Sequence, residues 1–228
     1  MKKVLFGIFA HPDDEAFGPC GTLLKEISNG TDVHLFTLTC GEAGQNPDNV
    51  PNLGELREQE WLAAAKSIGA ASTQNLHRPD GHLDNIAMQE ISAEIKLKIR
   101  DIMKSYSEST EIEFITLDSN GLTGHIDHIV AARAASFIFY QLKADGLSVK
   151  CIRYYCISEA SLPLHNTDWI YANKGRTARE IGETVDARDY REKIIEIMRL
   201  HNSQRNNCEY ALALHADNLG LDHFLVQE

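Results

Sequence analysis

Two short clusters of histidine and aspartate contain the residues whose types and spacing could do chemistry. Residues 11–15 (HPDDE) follow an apolar run at 4–10, and residues 124–128 (GHIDH) follow a strand-like run at 112–118. Burying so many ionisable groups is costly unless a cation or a solvent-filled cleft compensates them. One such cluster could be a solvated acidic turn. Two of them, each directly after a predicted strand, indicate the two halves of one metal site.

The donor atoms in these clusters suit a divalent ion. Histidine nitrogen with carboxylate oxygen favours Zn²⁺, and Fe²⁺, Co²⁺ or Mn²⁺ could substitute. His11 and Asp14 are three positions apart where a helix is predicted to begin, so both can face one ion. His128 can complete a triad with an open fourth position, which is typical of catalytic zinc sites. Asp13 then remains free as a general base, and Asp127 can fix the tautomer of a histidine through a hydrogen bond.

Strand-like and helical patterns alternate along the chain. The predicted strands are residues 3–10, 33–39, 73–77, 112–117, 149–157 and 222–227, with a further candidate at 169–172. The predicted helices are residues 18–28, 53–68, 88–104, 129–142 and 187–201. This alternation predicts a mostly parallel sheet with helices on both faces, in one domain over residues 1–228. Ligands of such sheets bind at the carboxyl ends of the strands, where both clusters are expected.

Composition excludes several classes of function. The formal net charge of -11 disfavours a nucleic-acid partner, which would need a basic face. No apolar run approaches the ~20 residues of a membrane-spanning helix, and the N-terminal residues do not form a signal peptide. The five cysteines include no Cys-x-x-Cys pair, which indicates reduced thiols and a cytoplasmic location. The oligomeric state is left open, and a homo-oligomer is compatible with the sequence.

Taken together, the two clusters resemble the PIG-L (LmbE-like) family of zinc-dependent N-deacetylases. The similarity extends in order through Gly21-Thr22, Gly30, residues 39–44 (TCGEAG), Arg57 with Glu60, residues 79–81 (PDG) and residues 201–204 (HNSQ). The resemblance implies a Rossmann-like α/β three-layer sandwich without a dinucleotide fingerprint. It also implies one Zn²⁺ per chain and removal of the N-acetyl group from an N-acetylglucosamine-type amino sugar or its conjugate.

The resemblance further implies a role for each residue of the clusters. The metal ligands would be His11, Asp14 and His128. Asp13 would act as the base, and His125 would meet the developing oxyanion and help to protonate the leaving amine. Asp127 would tune His125. Because a carboxylate neighbour favours a charged imidazole, we expect the pKa of His125 to lie above the ~6.5 of a free histidine.

Substrate contacts are predicted from the same resemblance. Arg57 would contact the substrate or product, Asp80 would help to bind the sugar, and His201 is a further candidate. Other interpretations are a surface ion pair for Arg57, turn chemistry for Asp80 and a favourable helix-end position for His201. Some relatives carry a tyrosine where this chain has Thr123, so Tyr210 is the candidate for a phenol at the oxyanion.

Two other functions fit parts of the pattern. A metal-dependent phosphoesterase or β-lactamase-like hydrolase would use similar ligands, but those folds usually bind two ions through a longer histidine motif. A non-catalytic sugar- or metal-binding protein of the same fold would have no use for a free carboxylate at Asp13. The part of the substrate beyond the amino sugar cannot be deduced from the loops.

Overall fold

The computed structural model describes residues 2–162 and 175–228, and within them a seven-stranded sheet crosses the molecule. The strands are Lys3–Phe9 (β1), Asp32–Thr39 (β2), Ser72–Arg78 (β3), Glu111–Leu117 (β4), Val149–Cys156 (β5), Glu183–Asp186 (β6) and Leu221–Gln227 (β7). Their order is β3-β2-β1-β4-β5-β7-β6. β1 to β5 run parallel, whereas β7 is antiparallel to both β5 and β6. The candidate strand at 169–172 lies outside the described residues.

Helices cover both faces of the sheet. They are Asp14–Phe17 (α1), Cys20–Ser28 (α2), Leu53–Ile68 (α3), Asn85–Met103 (α4), Ile126–Ala144 (α5), Arg191–Leu200 (α6) and Arg205–His215 (α7). Alternate side chains of β1 point to opposite faces. Phe6 and Ile8 pack with α4 and α5, and Leu5 and Phe9 pack with α2, α3 and α6. The predicted α/β class with a mostly parallel, doubly covered sheet is confirmed.

The connections open a cleft between β1 and β4. After β1 the chain crosses to the face of α2, whereas after β4 it crosses to the face of α5. The two strands are neighbours in the sheet, paired from Lys3 with Glu111 to Gly7 with Ile115. A switch of this kind between adjacent parallel strands is where α/β sheets bind ligands. It brings the loops that carry the two clusters together.

Several elements differ from the sequence prediction. α5 begins three residues earlier than predicted, because His125 caps it by accepting the Asp127 N–H at Nδ1 (3.2 Å). β6 and α7 were not predicted at all. Within the described residues, no helix combines the length and the apolar character that crossing a membrane requires.

Candidate active site

The turn after β1 anchors Asp14. One of its carboxylate oxygens, Oδ2, accepts the backbone N–H groups of Ala10 (3.0 Å) and His11 (2.9 Å). The other, Oδ1, lies 3.2 Å from His128 Nε2. Burial by itself would raise the pKa of Asp14, but His128, His11 and the backbone hydrogen bond outweigh it and hold the pKa well below its usual range. Asp14 is therefore an ionised carboxylate with one oxygen directed at the histidines.

The outer partners of His11 and His128 determine which ring nitrogens carry protons. His128 Nδ1 lies 3.1 Å from the carbonyl oxygen of Gly121, which can only accept, so Nδ1 carries the proton and Nε2 presents a lone pair. His11 Nε2 lies 3.0 Å from Asp80 Oδ1 and 3.4 Å from Asp127 Oδ2, and two carboxylates favour a proton there. The lone pair of His11 Nδ1 then faces His128 Nε2 at 3.0 Å.

These three donor atoms fit a single divalent ion. Two imidazole lone pairs that face each other repel unless a proton or a cation lies between them. A tetrahedral ion with ligands at ~2.1 Å places its donors about 3.4 Å apart. His11 Nδ1 lies 3.0 Å from His128 Nε2, His128 Nε2 lies 3.2 Å from Asp14 Oδ1, and His11 Nδ1 lies 3.8 Å from the other Asp14 oxygen, Oδ2. His11, Asp14 and His128 could therefore hold one ion, as the sequence predicts, and a second possible set of donors is His11, His125 and His128.

The acidic surroundings of His11 favour positive charge on its ring. Burial lowers the pKa of His11, but Asp127, Asp80 and Asp14 outweigh that effect and raise the pKa to about 10. Ligands of a metal must be deprotonated, so loading this site would release the proton. The carboxylates around His11 therefore favour a cation at this position.

Asp13 lies beside the donors and is held by Arg57. Arg57 is only 4% exposed, and its Nη2 donates to Asp13 Oδ2 (3.0 Å) and to the carbonyl of Pro12 (2.8 Å). Its Nη1 donates to the carbonyl of Gly41 (2.6 Å). A side chain at Gly41 or Gly44 would collide with this guanidinium, which accounts for the glycines there. Interpreting Arg57 as a surface ion pair is therefore wrong.

The environment of Asp13 suits a proton acceptor. Burial raises the pKa of the carboxyl, and the Arg57 charge opposes it, with a net shift upward. The backbone at Asp13 has φ of 125°, a strained region for a residue with a side chain. Strain of this kind is tolerated where the surrounding structure imposes it, here through Arg57 and through the Asp13 N–H bond to Glu15 (3.3 Å).

The carboxylate of Asp127 does not contact His125, contrary to the role expected for it. It accepts the N–H groups of Gly81 (2.7 Å) and Leu83 (3.2 Å) and lies against His11 instead. The sequence suggested that Asp127 holds the tautomer of a histidine, and the histidine that its carboxylate faces is His11. The backbone N–H of Asp127, not its side chain, forms the hydrogen bond to His125.

Asp80 has a similar supporting position. Its Oδ2 accepts the N–H of Ala43 (2.9 Å), and its Oδ1 faces His11. Burial opposes ionisation, but the contacts with His11 and Ala43 lower the pKa of Asp80 to about 2. The interpretation as turn chemistry alone is wrong, because Asp80 lines the cavity and orients His11 from its outer side.

His125 stands at the start of α5 and lines the cavity. Because its Nδ1 accepts a backbone N–H, the proton of its neutral form is on Nε2. Burial lowers the pKa of His125, and the neighbouring His128 and His11 lower it further. The expectation of a raised pKa is wrong: the nearby imidazoles and desolvation outweigh the Asp127 carboxylate. His125 is thus a neutral donor at neutral pH.

His201 is not placed to touch a substrate. It is fully buried, it is absent from the cavity wall, and its Nε2 lies 3.2 Å from Glu15 Oε1. Glu15 in turn accepts the N–H of Asp13. The prediction of a substrate contact is corrected: His201 supports the turn that carries Asp13. The helix-end position after α6 is as expected, but its partner is a buried glutamate.

The clusters open into a cavity of about 650 Å³. His11, Asp13, Asp14, His125 and His128 are among the residues that line it. α7 and the turn before it contribute further lining residues: Gln204, Asn207, Tyr210, Ala211, Leu214 and His215. Of these only Tyr210 was predicted, because α7 carries no chemical motif. Phe17, Leu122 and Tyr155 also line the cavity, and they are apolar or aromatic side chains that sequence patterns assign to the core.

Comparison with known proteins identifies a family whose sequence model matches this chain. The model of the PIG-L family, described as GlcNAc-PI de-N-acetylase, matches residues 6–139, which is more than half of the chain and includes both clusters. A 1D-myo-inositol 2-acetamido-2-deoxy-alpha-D-glucopyranoside deacetylase from Thermobispora bispora is 30% identical over 162 residues. That match covers 63% of this chain and 53% of the relative, so the similarity spans about half of the relative's length.

Two solved structures share the fold over nearly the whole chain. The N,N'-diacetylchitobiose deacetylase from Pyrococcus horikoshii has a TM-score of 0.65 at 19% identity, covering 99% of this chain and 83% of that one. GalB, the 4-carboxy-2-hydroxymuconate hydratase from Pseudomonas putida, has a TM-score of 0.68 at 16% identity, covering 100% and 95%. Since a deacetylase and a hydratase share this architecture, these likenesses show the fold alone. The family match over both clusters shows more: the chain belongs to the PIG-L, or GlcNAc-PI de-N-acetylase, family.

Proposed function

We propose that the protein is a metal-dependent hydrolase that removes the N-acetyl group from an N-acetylglucosamine-type sugar or its conjugate. The observation that carries the proposal is the convergence of the His11, Asp14 and His128 donors beside the uncoordinated carboxylate of Asp13. The cavity of about 650 Å³ is within the range that binds small molecules. The names of the relatives as deacetylases of GlcNAc-type sugars support the same reaction.

The donor set favours one Zn²⁺ per chain, held by His11, Asp14 and His128. When bound, a Lewis acid of this kind polarises the amide carbonyl and makes water more acidic. The protein supplies the rest of the chemistry. Asp80 and Asp127 fix the ring of His11 from behind, and Asn or Ala at either position would loosen that ligand.

Asp13 moves the proton in this proposal. It accepts a proton from the attacking water as the new C–O bond forms at the amide carbon. When the C–N bond breaks, the same proton passes to the departing amine, which leaves acetate and the free amino sugar. The upward shift in the pKa of Asp13 suits both steps, since a base that must later act as an acid needs a pKa near the working pH.

His125 stabilises the oxyanion. Its Nε2–H donates to the former carbonyl oxygen as negative charge develops there. The lowered pKa of His125 argues for this neutral donor role and against delivery of the leaving-group proton, which Asp13 can supply. Arg57 acts on the substrate indirectly, because its Nη1 and Nη2 donate to Asp13, Pro12 and Gly41.

The rest of the substrate would lie along α7. Tyr210 is about half exposed and lines the cavity, which suits a contact with the sugar or with the group attached to it. The amino sugar itself is expected at the end of the cavity near Asp13 and His125.

Release of acetate from a panel of soluble N-acetylglucosaminides tests the proposal. The protein is stripped with a chelator, assayed, reloaded with Zn²⁺ and assayed again. We expect turnover only after reloading, and only with N-acetylated sugars. Turnover of phosphate esters without acetate release would favour a phosphoesterase instead. Tight sugar binding with no turnover in the reloaded protein would favour a non-catalytic binding protein.

A further inference from the structure

A second cluster of potential ligands lies outside the cavity. Cys40 Sγ lies 3.2 Å from His77 Nδ1, and His77 Nε2 lies 3.5 Å from Glu58 Oε1. One donor atom from each of the three residues falls within 4.8 Å of the other two. The cluster borders an open groove of about 570 Å³ on the surface. None of these side chains takes part in the proposed reaction.

The backbone is shaped to present His77. The pairing of β2 with β3 shifts register between Thr37 and Thr39, so β3 accommodates an extra residue just before its end. His77 in this bulge has φ of 51°, which is uncommon for a residue with a side chain. Bulges at sheet ends often redirect a side chain, and local strain is retained mainly where it serves a site.

The side chain of Asn75 contacts all three residues of the cluster. Its Nδ2 donates to Glu58 Oε1 (3.0 Å) and to Cys40 Sγ (3.3 Å), and its Oδ1 accepts the N–H of His77 (2.9 Å). One amide therefore organises all three members of the cluster. Such an outer partner that orients several potential ligands is typical of metal sites.

A nucleophilic role for Cys40 does not fit. Burial raises the pKa of the Cys40 thiol, and although Asn75 opposes this, Glu58 adds to the increase. A reactive cysteine needs the opposite shift, because the thiolate is the nucleophile. A cation, by contrast, would displace the thiol proton. Its charge would then be compensated by the Cys40 thiolate and the Glu58 carboxylate.

We propose that Cys40, Glu58 and His77 form a second, independent site for a borderline divalent cation such as Zn²⁺. Sulfur, imidazole nitrogen and carboxylate oxygen together suit Zn²⁺ or Co²⁺ and do not suit Mg²⁺ or Ca²⁺. Water from the open groove completes the coordination, since three protein ligands leave one position vacant. His77 has 59% of its side chain exposed, so an ion can enter directly from solvent.

Two members of the second site are sequence neighbours of residues that support the active site. Cys40 precedes Gly41, Glu58 follows Arg57, and Arg57 Nη1 donates to the Gly41 carbonyl (2.6 Å). An ion between Cys40 and Glu58 therefore bridges the two segments that position Arg57 behind the reaction centre. Loading the second site should raise the thermal midpoint of unfolding, because the ion binds only the folded arrangement.

Cobalt titration tests the second site without an activity assay. The full-length protein is stripped of metal and titrated with Co²⁺ while thiolate-to-cobalt charge-transfer absorption is followed in the near ultraviolet. The donors of the first site are nitrogen and oxygen only, so this band reports Cys40 alone. We expect two equivalents of Co²⁺ in the wild-type protein, one of which produces the band.

Four variants make the result decisive. Cys40→Ser and His77→Asn should each lose the band and one equivalent, and asparagine is chosen because it tolerates the positive φ of residue 77. Cys151→Ser, which changes another half-buried thiol, should keep the band and both equivalents of Co²⁺. Asp14→Asn should keep the band even though it damages the first site. No band at saturation, a band that survives Cys40→Ser, or its loss in Asp14→Asn would overturn the proposal. Circular dichroism of each variant confirms folding.

Discussion

Asp13→Asn is the sharpest test of the proposed chemistry. Asparagine keeps the shape of the side chain and tolerates positive φ better than alanine, so the strained backbone at 125° should be preserved. It cannot accept the proton of water. The ion should stay bound, because the three proposed donors are on other residues.

The structure sets the expected size of the effect. Removing a general base typically costs ~10²–10⁴-fold in rate, which corresponds to about 2.7–5.5 kcal/mol of activation free energy. Asp13 is only 7% exposed, and the neighbouring carboxylates Asp14 and Asp80 are held by their own partners. Because the proposal assigns the proton of the attacking water to Asp13 alone, we expect a loss of kcat near the upper end, at about 10⁴-fold.

Asp118→Asn is the matched control. Asp118 is also a buried aspartate paired with an arginine, accepting from Arg176 Nε (2.7 Å) and Nη2 (2.8 Å), but it does not line the cavity. This variant should lose stability while keeping its turnover. Acetate release and elemental analysis are measured on the same preparations. Near wild-type turnover in Asp13→Asn, or a metal content that collapses with it, would refute the assignment of Asp13.

Three further outcomes are expected. His128→Ala should lose bound metal by elemental analysis and lose the stabilisation that added Zn²⁺ gives the wild-type protein; full occupancy would remove His128 from the ligands. His125→Ala should lower kcat by about 10²–10³-fold with little change in KM, and the alkaline limb of its pH–rate profile should match the wild type, because a neutral donor does not titrate there. The stability of Asp222→Asn relative to the wild type should increase as the pH is raised from about 4 to about 6. Burial outweighs the two Thr22 hydrogen bonds and raises the pKa of Asp222 from 3.8 to about 6. As the pH rises, the native state therefore keeps this proton longer than the unfolded chain does. Ionisation of Asp222 then destabilises the native wild-type protein by up to about 3 kcal/mol. Denaturant unfolding of both proteins at each pH measures this difference.

β1 and β2 could be predicted because nearly every residue in them is buried. The continuous apolar run of β1 cannot be stable on a surface, and Gly69, with φ of 94°, marks the end of α3. β6 is four residues long and alternates between half-buried and exposed, so its sequence carries almost no signal. α7 buries only Cys208, which leaves its periodicity weak.

The ligands could be predicted from residue types, but their partners could not. Proximity along the chain suggested that Asp127 acts on His125. In the folded protein the cap at the start of α5 turns the Asp127 carboxylate toward His11, which follows a different strand. The burial of Arg57 was equally invisible, because a helix with several neighbouring glutamates resembles a solvated surface. Contacts between distant segments decide both cases.

The residues that line the cavity come from two separate parts of the chain, and this separation affects how mutations can alter substrate selectivity. The residues proposed for the reaction all lie between His11 and His128, within the segment that the family model matches. The lining residues on α7 lie beyond that segment, and α7 packs on the rest mainly through α6 and the short turn after it. Mutations on the exposed face of α7 can therefore alter which molecules enter without disturbing the groups that react. A library confined to residues 204–215 is a natural starting point for evolving new selectivity on an unchanged reaction centre.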